Sequence, residues 1–348
     1  MELKIVYGLI FFFFFYTFGV KKTTRQFFIV LGVVGLFLVS GFRSYNLDMD
    51  CSMYRGFYDG YPSNVGIVEP SYSLITAFVK HYLKDFRYML LIYSAIALTI
   101  SYIGIKKISV HQACSYMMFT GSYFLLQNMT QIRAACAVAF FLLSIPYLVK
   151  KNYLYYFICC GCSTFFHYSA AIMFALPLLD NSQITKQKKK ILLIVPIVAI
   201  AVSSFLDVTS LLMKIPVPYI QAKVQGYIYL IEMQSGGQDY IKVFNVLYML
   251  KLSVYYWFVL KSDFYARKIE NFPILIKLYS ISIVSLPALS LIPAMATRYN
   301  EFFGILDIIL YPMILVSFKQ YRLMTCLLLA YPLLVSYVYI FRNEFFNI

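Results

Sequence analysis

The sequence predicts an all-α polytopic membrane protein with about 12 transmembrane or re-entrant helices and two sizeable outer loops. Three observations carry this. Hydrophobic residues make up 61% of the 348 residues and charged residues 13%, far from the composition of soluble domains. Apolar runs of about 15–20 residues recur along the chain and suit helices crossing a hydrocarbon layer about 30 Å thick, whereas a barrel would show shorter alternating segments. Lysine and arginine gather between these runs, so the formal net charge of +15 reads as membrane orientation and not as a nucleic-acid surface.

In order, helices are expected at 3–20, 27–41, 86–105, 109–126, 132–149, 153–166, 168–179, 191–206, 241–260, 272–292, 302–318 and 323–341. The first holds FFFFF and lacks a small-residue cleavage site, which favours a retained helix over a signal peptide. Basic clusters at 21–25, 106–107, 150–151, 186–190, 261–268 and 319–322 are assigned to the inner side. On that assignment the inner loops carry sixteen basic and three acidic residues, and the outer segments, with Lys4, Arg87, Arg133 and Lys242 at the outer helix ends counted in, twelve and eleven.

Two consequences follow from keeping the flanking clusters inside. Between Lys107 and Lys150 there is room for a full hairpin, with an outer turn at 127–131 and Arg133 opening the returning helix. Between Lys151 and Lys186 only about 26 apolar residues remain, too many for one upright helix and too few for two. Two short helices broken near 166–169 are therefore expected, with His167 at the break; non-helical backbone at that depth survives only where it lines a protein-buried or wet cavity.

The outer loops are placed at 42–85 and 207–240. The first holds Asp48, Asp50, Asp59, Glu69 and Asp85 together with Tyr45, Tyr54, Tyr58, Tyr61 and Tyr72, a polar island in an apolar chain. The second holds Pro216, Pro218 and Gly236–Gly237, with an amphipathic stretch over 220–231 that suits an interfacial helix. No repeat period appears, so residues 1–348 are read as a single integral-membrane domain. Six of the seven cysteines lie in apolar runs and read as small packing residues, not as a disulfide framework or metal site.

Arg43, Arg133, His167 and Arg298 all fall on the outer side of this topology, facing the same compartment as the acidic loop. Arg133 and Arg298 are expected near helix N-termini, where unpaired N–H groups and the helix dipole favour an anion, and a guanidinium adds a bidentate phosphate grip. Each residue also has a bland reading: a snorkelling anchor for the arginines, a packing residue for His167, a solvated loop for the carboxylates and an interfacial belt for the tyrosines. Lys251, Lys277 and Asp307 lie within predicted spans and are candidates on that ground. These features describe an outward polar cavity for an anionic ligand and do not separate an enzyme from a transporter.

The order of Arg43, NLDMDCSMY, EPSYSL at 69–74, QIRAACAVAF at 131–140, FFHYSA at 165–170 and ATRYNEFF at 296–303 resembles the EpsG family, which is akin to the Wzy polymerases of O-antigen and capsule synthesis. The resemblance implies a membrane-embedded glycosyltransferase of the bacterial inner membrane whose site faces the periplasm. It would transfer a growing glycan from undecaprenyl diphosphate to a lipid-linked repeat unit, with no cofactor and no metal, beside a chain-length regulator and a flippase. The enzyme must neutralise the leaving diphosphate and deprotonate the acceptor hydroxyl. The resemblance assigns Arg43, Arg133 and Arg298 to the diphosphate, Asp50, Glu69 or His167 to proton transfer, and Tyr54 and Tyr72 to the sugar. An O-antigen ligase fits the same plan, and a flippase for lipid-linked oligosaccharide would be favoured by matching broken helices in two halves.

Overall fold

The computed structural model describes residues 2–17, 22–205, 245–290 and 292–341, with isolated positions between 206 and 244 and at 346. The described residues are mostly helical, and the β pairing among them is a single antiparallel bridge between Asp48 and Phe346. The second outer loop at 207–240 and its amphipathic stretch fall almost wholly outside the described residues.

Four described helices are long and apolar enough to cross a membrane: Thr24–Gly41, Arg87–Ile108, Ile132–Val149 and Tyr321–Phe341. The broken pair Pro293–Gly304 and Asp307–Ser317 would make a fifth if counted as one span. The remaining apolar helices are shorter, 10–17 residues each.

The chain forms two compact units. Unit 1 comprises Met1–Leu178 and Asp307–Ile348. Its helices are α1 (Glu2–Tyr16), α2 (Lys22–Gly41), α3 (Met49–Asp59), α4 (Pro70–Phe78), α5 (Arg87–Ile108), α6 (Gln112–Gly121), α7 (Ile132–Val149) and α8 (Tyr153–Phe166). Helix α5 packs on α7 and α7 on α8, while α1 and α2 pack on α6 and α5. Small residues set two of these approaches. A Cβ on Gly104 would lie 3.0 Å from the Leu142 side chain of α7, and one on Gly121 only 2.6 Å from the Pro332 carbonyl of the C-terminal helix.

Three features depart from a plain run of helices. The loop at 42–85, expected as a polar loop, is itself folded into α3 and α4, the latter continued by a π turn at Val79–Leu83. Helix α6 stops at Gly121 and passes into a second π turn at Phe124–Asn128, where the sequence predicts one helix over 109–126. Helix α8 ends at Phe166, His167 is extended (φ −154°, ψ 119°), and a 3-10 helix follows over Tyr168–Leu178, so the chain breaks where the sequence places the break.

Unit 2, Leu179–Leu306, holds α9 (Lys186–Phe205), α10 (Val246–Leu260), α11 (Ser262–Lys268), α12 (Phe272–Ala288) and α13 (Pro293–Gly304). Its basic end is tied together by Asp180, whose carboxylate accepts from Lys277 Nζ at 2.6 Å and Lys188 Nζ at 3.2 Å. Those lysines and Ser182 hold the Asp180 carboxyl well below the usual carboxylate range. Back in unit 1, α14 (Asp307–Met313) packs on α6, and α15 (Tyr321–Phe341) packs on α6 and α1. Asp307, fully buried, accepts hydrogen bonds from Tyr123 at 3.2 Å and Tyr331 at 2.9 Å.

Candidate active site around Glu69

The chain assembles this site through a tight hairpin and a wedge. Only residues 150–152 separate α7 from α8, with Lys151 in a left-handed turn (φ 53°), so the start of α7 and the end of α8 lie at the same end of the pair. Ser163 Oγ donates to the Ala137 carbonyl at 2.7 Å and locks the two helices in register. Phe166 wedges between neighbours, with ring centroids 5.9 Å from both Tyr93 of α5 and Phe140 of α7. The chain leaves α8 there, and His167 follows with its N–H donated to the Ser163 carbonyl at 2.9 Å.

Glu69 reaches this end from the other direction. It is the N-cap residue of α4, and Pro70 occupies the first turn, where a missing N–H costs nothing. Its side chain makes no capping bond to its own helix and turns away from it. Tyr93 OH shares a 3.4 Å hydrogen bond with Ser71 Oγ, fixing α4 on α5.

The Glu69 carboxylate is divided between two partners. Oε1 lies 2.7 Å from His167 Nδ1, and Oε2 accepts a short hydrogen bond from Arg133 Nη1. All three side chains are mostly but not wholly buried, with 7% of Glu69, 15% of His167 and 16% of Arg133 exposed, so the cluster borders the surface. Burial pushes the Glu69 carboxyl upward, but the His167 hydrogen bond and the Arg133 charge outweigh it and hold the carboxyl below its usual value. Glu69 is thus an anion between a guanidinium and an imidazole.

Arg133 is the second residue of α7, in the first turn where helix N–H groups lack intrahelical partners. Its guanidinium carbon sits 5.2 Å from the Tyr54 ring centroid, a cation–π arrangement, and its buried Nε has no hydrogen-bond partner. Tyr54 comes from α3 and packs on Tyr72 at 5.9 Å, whose hydroxyl donates to the Tyr54 carbonyl. Burial pushes the Tyr54 hydroxyl up to about 12. Four elements, α3, α4, α7 and the end of α8, therefore meet at Glu69.

Arg43 and Asp48 form a second, deeper pair beside this cluster. Both side chains are 0% exposed, with Arg43 Nε 3.3 Å from Asp48 Oδ2. Arg43 Nη1 also donates to the Ser40 carbonyl at 2.8 Å and the Asn128 carbonyl at 3.4 Å, while Nη2 has no hydrogen-bond partner. Asp48 caps α3 by accepting from the Cys51 amide at 2.8 Å. Asp50, half-buried in the first turn of α3, has its carboxyl raised by burial, against the opposing charges of Arg133 and Arg43.

Of the residues singled out in sequence, Glu69, Arg133, His167 and Tyr54 come together, with Tyr72 behind Tyr54 and Asp50 within the electrostatic reach of Arg133. Arg43 lies beneath them on Asp48. Tyr54 and Tyr72 are 3% and 1% exposed, so their rings face protein. Arg298 belongs to unit 2, where it is exposed in the middle of α13, not at the helix start expected from the sequence. Sequence reading did not single out Arg87, which donates to the Arg43 carbonyl and stacks 4.2 Å over the Tyr45 ring; its place at the start of α5 was the available signal. Among the described residues no group of three or more His, Cys, Asp or Glu side chains is arranged to hold a metal.

Among curated proteins, the chain is similar to the amylovoran biosynthesis protein AmsC of Erwinia amylovora, 28% identical over 144 residues. That match covers 38% of this chain and 38% of AmsC, so it spans well under half of the relative's length. No solved structure matches. The family profile described as EpsG family matches residues 26–347, which takes in α3, α4, α7, α8 and every side chain of the Glu69 cluster, and the chain belongs to the EpsG family.

Proposed function

We propose that this protein is a polysaccharide polymerase that moves a growing glycan from undecaprenyl diphosphate onto a sugar hydroxyl of a lipid-linked repeat unit, at the periplasmic face of a bacterial inner membrane. The observation that carries this reading is the ionised Glu69 held between Arg133 and His167 near the protein surface. Membership of the EpsG family and likeness to a protein of amylovoran biosynthesis support the polysaccharide product.

In the transfer, the acceptor oxygen attacks the anomeric carbon of the donor, the bond from that carbon to the diphosphate breaks, and the hydroxyl proton leaves to a base. Charge builds on the departing diphosphate, which needs no activation by a metal where fixed cations meet it. Arg133 serves this role: Glu69 takes Nη1, the side chain keeps 16% of its surface exposed, and the first turn of α7 adds its dipole. Arg43 acts from below, through its buried pair with Asp48 and its charge on Asp50.

The base is His167. An ionised Glu69 accepts from Nδ1–H, which selects the tautomer with its lone pair on Nε2, the arrangement a general base requires. Asp50, its carboxyl raised by burial, is the second candidate. Tyr54 and Tyr72, whose rings face protein, support Arg133 from behind.

Deleting the gene should leave surface glycans one repeat unit long. Unchanged long chains would overturn the polymerase reading, loss of all surface repeat units would indicate a flippase, and intact polymer retained on its lipid carrier a ligase. Arg133→Ala should abolish polymerisation while the protein still accumulates folded in the membrane; full activity in that variant would refute the diphosphate role.

A further inference from the structure

The helix that carries Glu69 has a second face that the proposed chemistry does not use. Leu74, Phe78 and Tyr82 are 64%, 49% and 67% exposed and follow one another at four-residue spacings that form a stripe along α4 and its π turn. In a pure α-helix a four-residue repeat drifts sideways. A π turn uses more residues per revolution, so the one at Val79–Leu83 brings Tyr82 back into line with Leu74 and Phe78, whose ring lies 5.2 Å from that of Tyr82. The opposite face is fully engaged: Ser71, Tyr72, Thr76 and Val79 are buried, with Thr76 against Met89 and Ser71 against Tyr93 of α5.

We propose that residues 70–83 form an interfacial helix lying in the surface of the lipid bilayer, with Leu74, Phe78 and Tyr82 among the acyl chains. Two further observations select lipid as the occupant. Exposed His81 and Lys84 stand at the C-terminal end of the stripe, where they meet anionic headgroups, and Tyr82 is the residue type that settles at that depth. The helix is also attached to the membrane part, because α4 packs on α8, whose Leu154, Phe157, Ile158 and Phe165 are exposed. The first outer loop is therefore not a water-borne loop: its second helix floats on the membrane and sets Glu69, at that helix's N-terminus, at headgroup level. This placement goes beyond the polymerase reading and stands whether or not the substrate is lipid-linked.

The chain contains one tryptophan, Trp257, so a Trp257→Phe background allows single reporters at Leu74→Trp, Phe78→Trp and the exposed Asp59→Trp. Each is reconstituted in vesicles of phosphatidylcholine and phosphatidylglycerol with and without lipid brominated in mid-chain. Bromolipid should lower the emission of the 74 and 78 reporters at least twofold and leave the 59 reporter unchanged, with aqueous iodide giving the reverse. Iodide quenching at 74 and 78 equal to that at 59 would overturn the proposal by placing the stripe in water. Protection of both positions from both quenchers would overturn it in favour of a protein partner or a second copy. Neither readout depends on polymerase activity, so the two readings fail separately.

Discussion

At the level of single residues, Glu69 decides the electrostatics of the site. Its two oxygens are taken by different partners, and the carboxyl is held below its usual 4.5 by the His167 hydrogen bond and the Arg133 charge in spite of burial. A group whose folded value is depressed contributes stability at pH above its unfolded value and loses it as pH falls through the folded one. Wild-type Tm in detergent should therefore drop between pH 5 and pH 3 more than that of Glu69→Gln. At pH 7 Glu69→Gln should be the less stable of the two, because Arg133 then lacks its counter-charge. The same substitution should cost polymerisation about a hundredfold or more, the usual scale for lost general acid–base function. A Tm profile of Glu69→Gln that parallels the wild type would refute the ionised pair.

At the level of elements, α3 is held by one contact set at its N-terminus. Asp48 caps the helix through the Cys51 amide and also neutralises Arg43, which in turn binds carbonyls at the end of α2 and at the last residue of the π turn Phe124–Asn128. Removing a cap costs about 1 kcal/mol, and leaving a buried charge unpaired costs about 3–5 kcal/mol. Asp48→Ala should show both losses and Asp48→Asn chiefly the second, as measured by thermal unfolding; equal and small effects in both would contradict the buried pair. Since α3 brings Tyr54 under Arg133, both variants should also lower activity. Close helix approach is tested at Gly121, where a Cβ would meet Pro332 at 2.5 Å. Gly121→Val should destabilise by about 1–3 kcal/mol through overpacking, and an unchanged Tm would show that α6 and α15 do not approach so closely.

For the molecule as a whole, the prediction concerns orientation. The orientation expected from the segregation of lysine and arginine has the first loop outside, and Ser63, exposed between α3 and α4, is a convenient reporter of it. In a Cys162→Ser, Cys326→Ser background, Ser63→Cys should react with an impermeant maleimide added to intact spheroplasts. Reaction only after the membrane is broken would invert the topology. Each unit gathers ionisable groups into a paired cluster, Asp180 with Lys188 and Lys277 in unit 2 and Glu69 with Arg133 and His167 in unit 1.

The sequence by itself determined the all-α class and the break at His167, because these depend on local composition and on how many residues a bilayer-length helix needs, whereas of the twelve expected helices only four, or five with the bent pair, are long and apolar enough to cross a membrane among the described residues. Arg133 at the head of α7 was legible for the same reason: the apolar run starts beside it. Other features were decided only by tertiary structure. Nothing in the spacing 69, 133, 167 says that one carboxylate joins the other two; the α7–α8 hairpin and the Phe166 wedge do that. Nor could composition tell that Arg43 is sealed on Asp48, that Tyr54 and Tyr72 face inward, or that the polar loop is two helices with an apolar outer stripe. A polar residue type reports what it can bind, while its burial and partners depend on which distant helix packs over it.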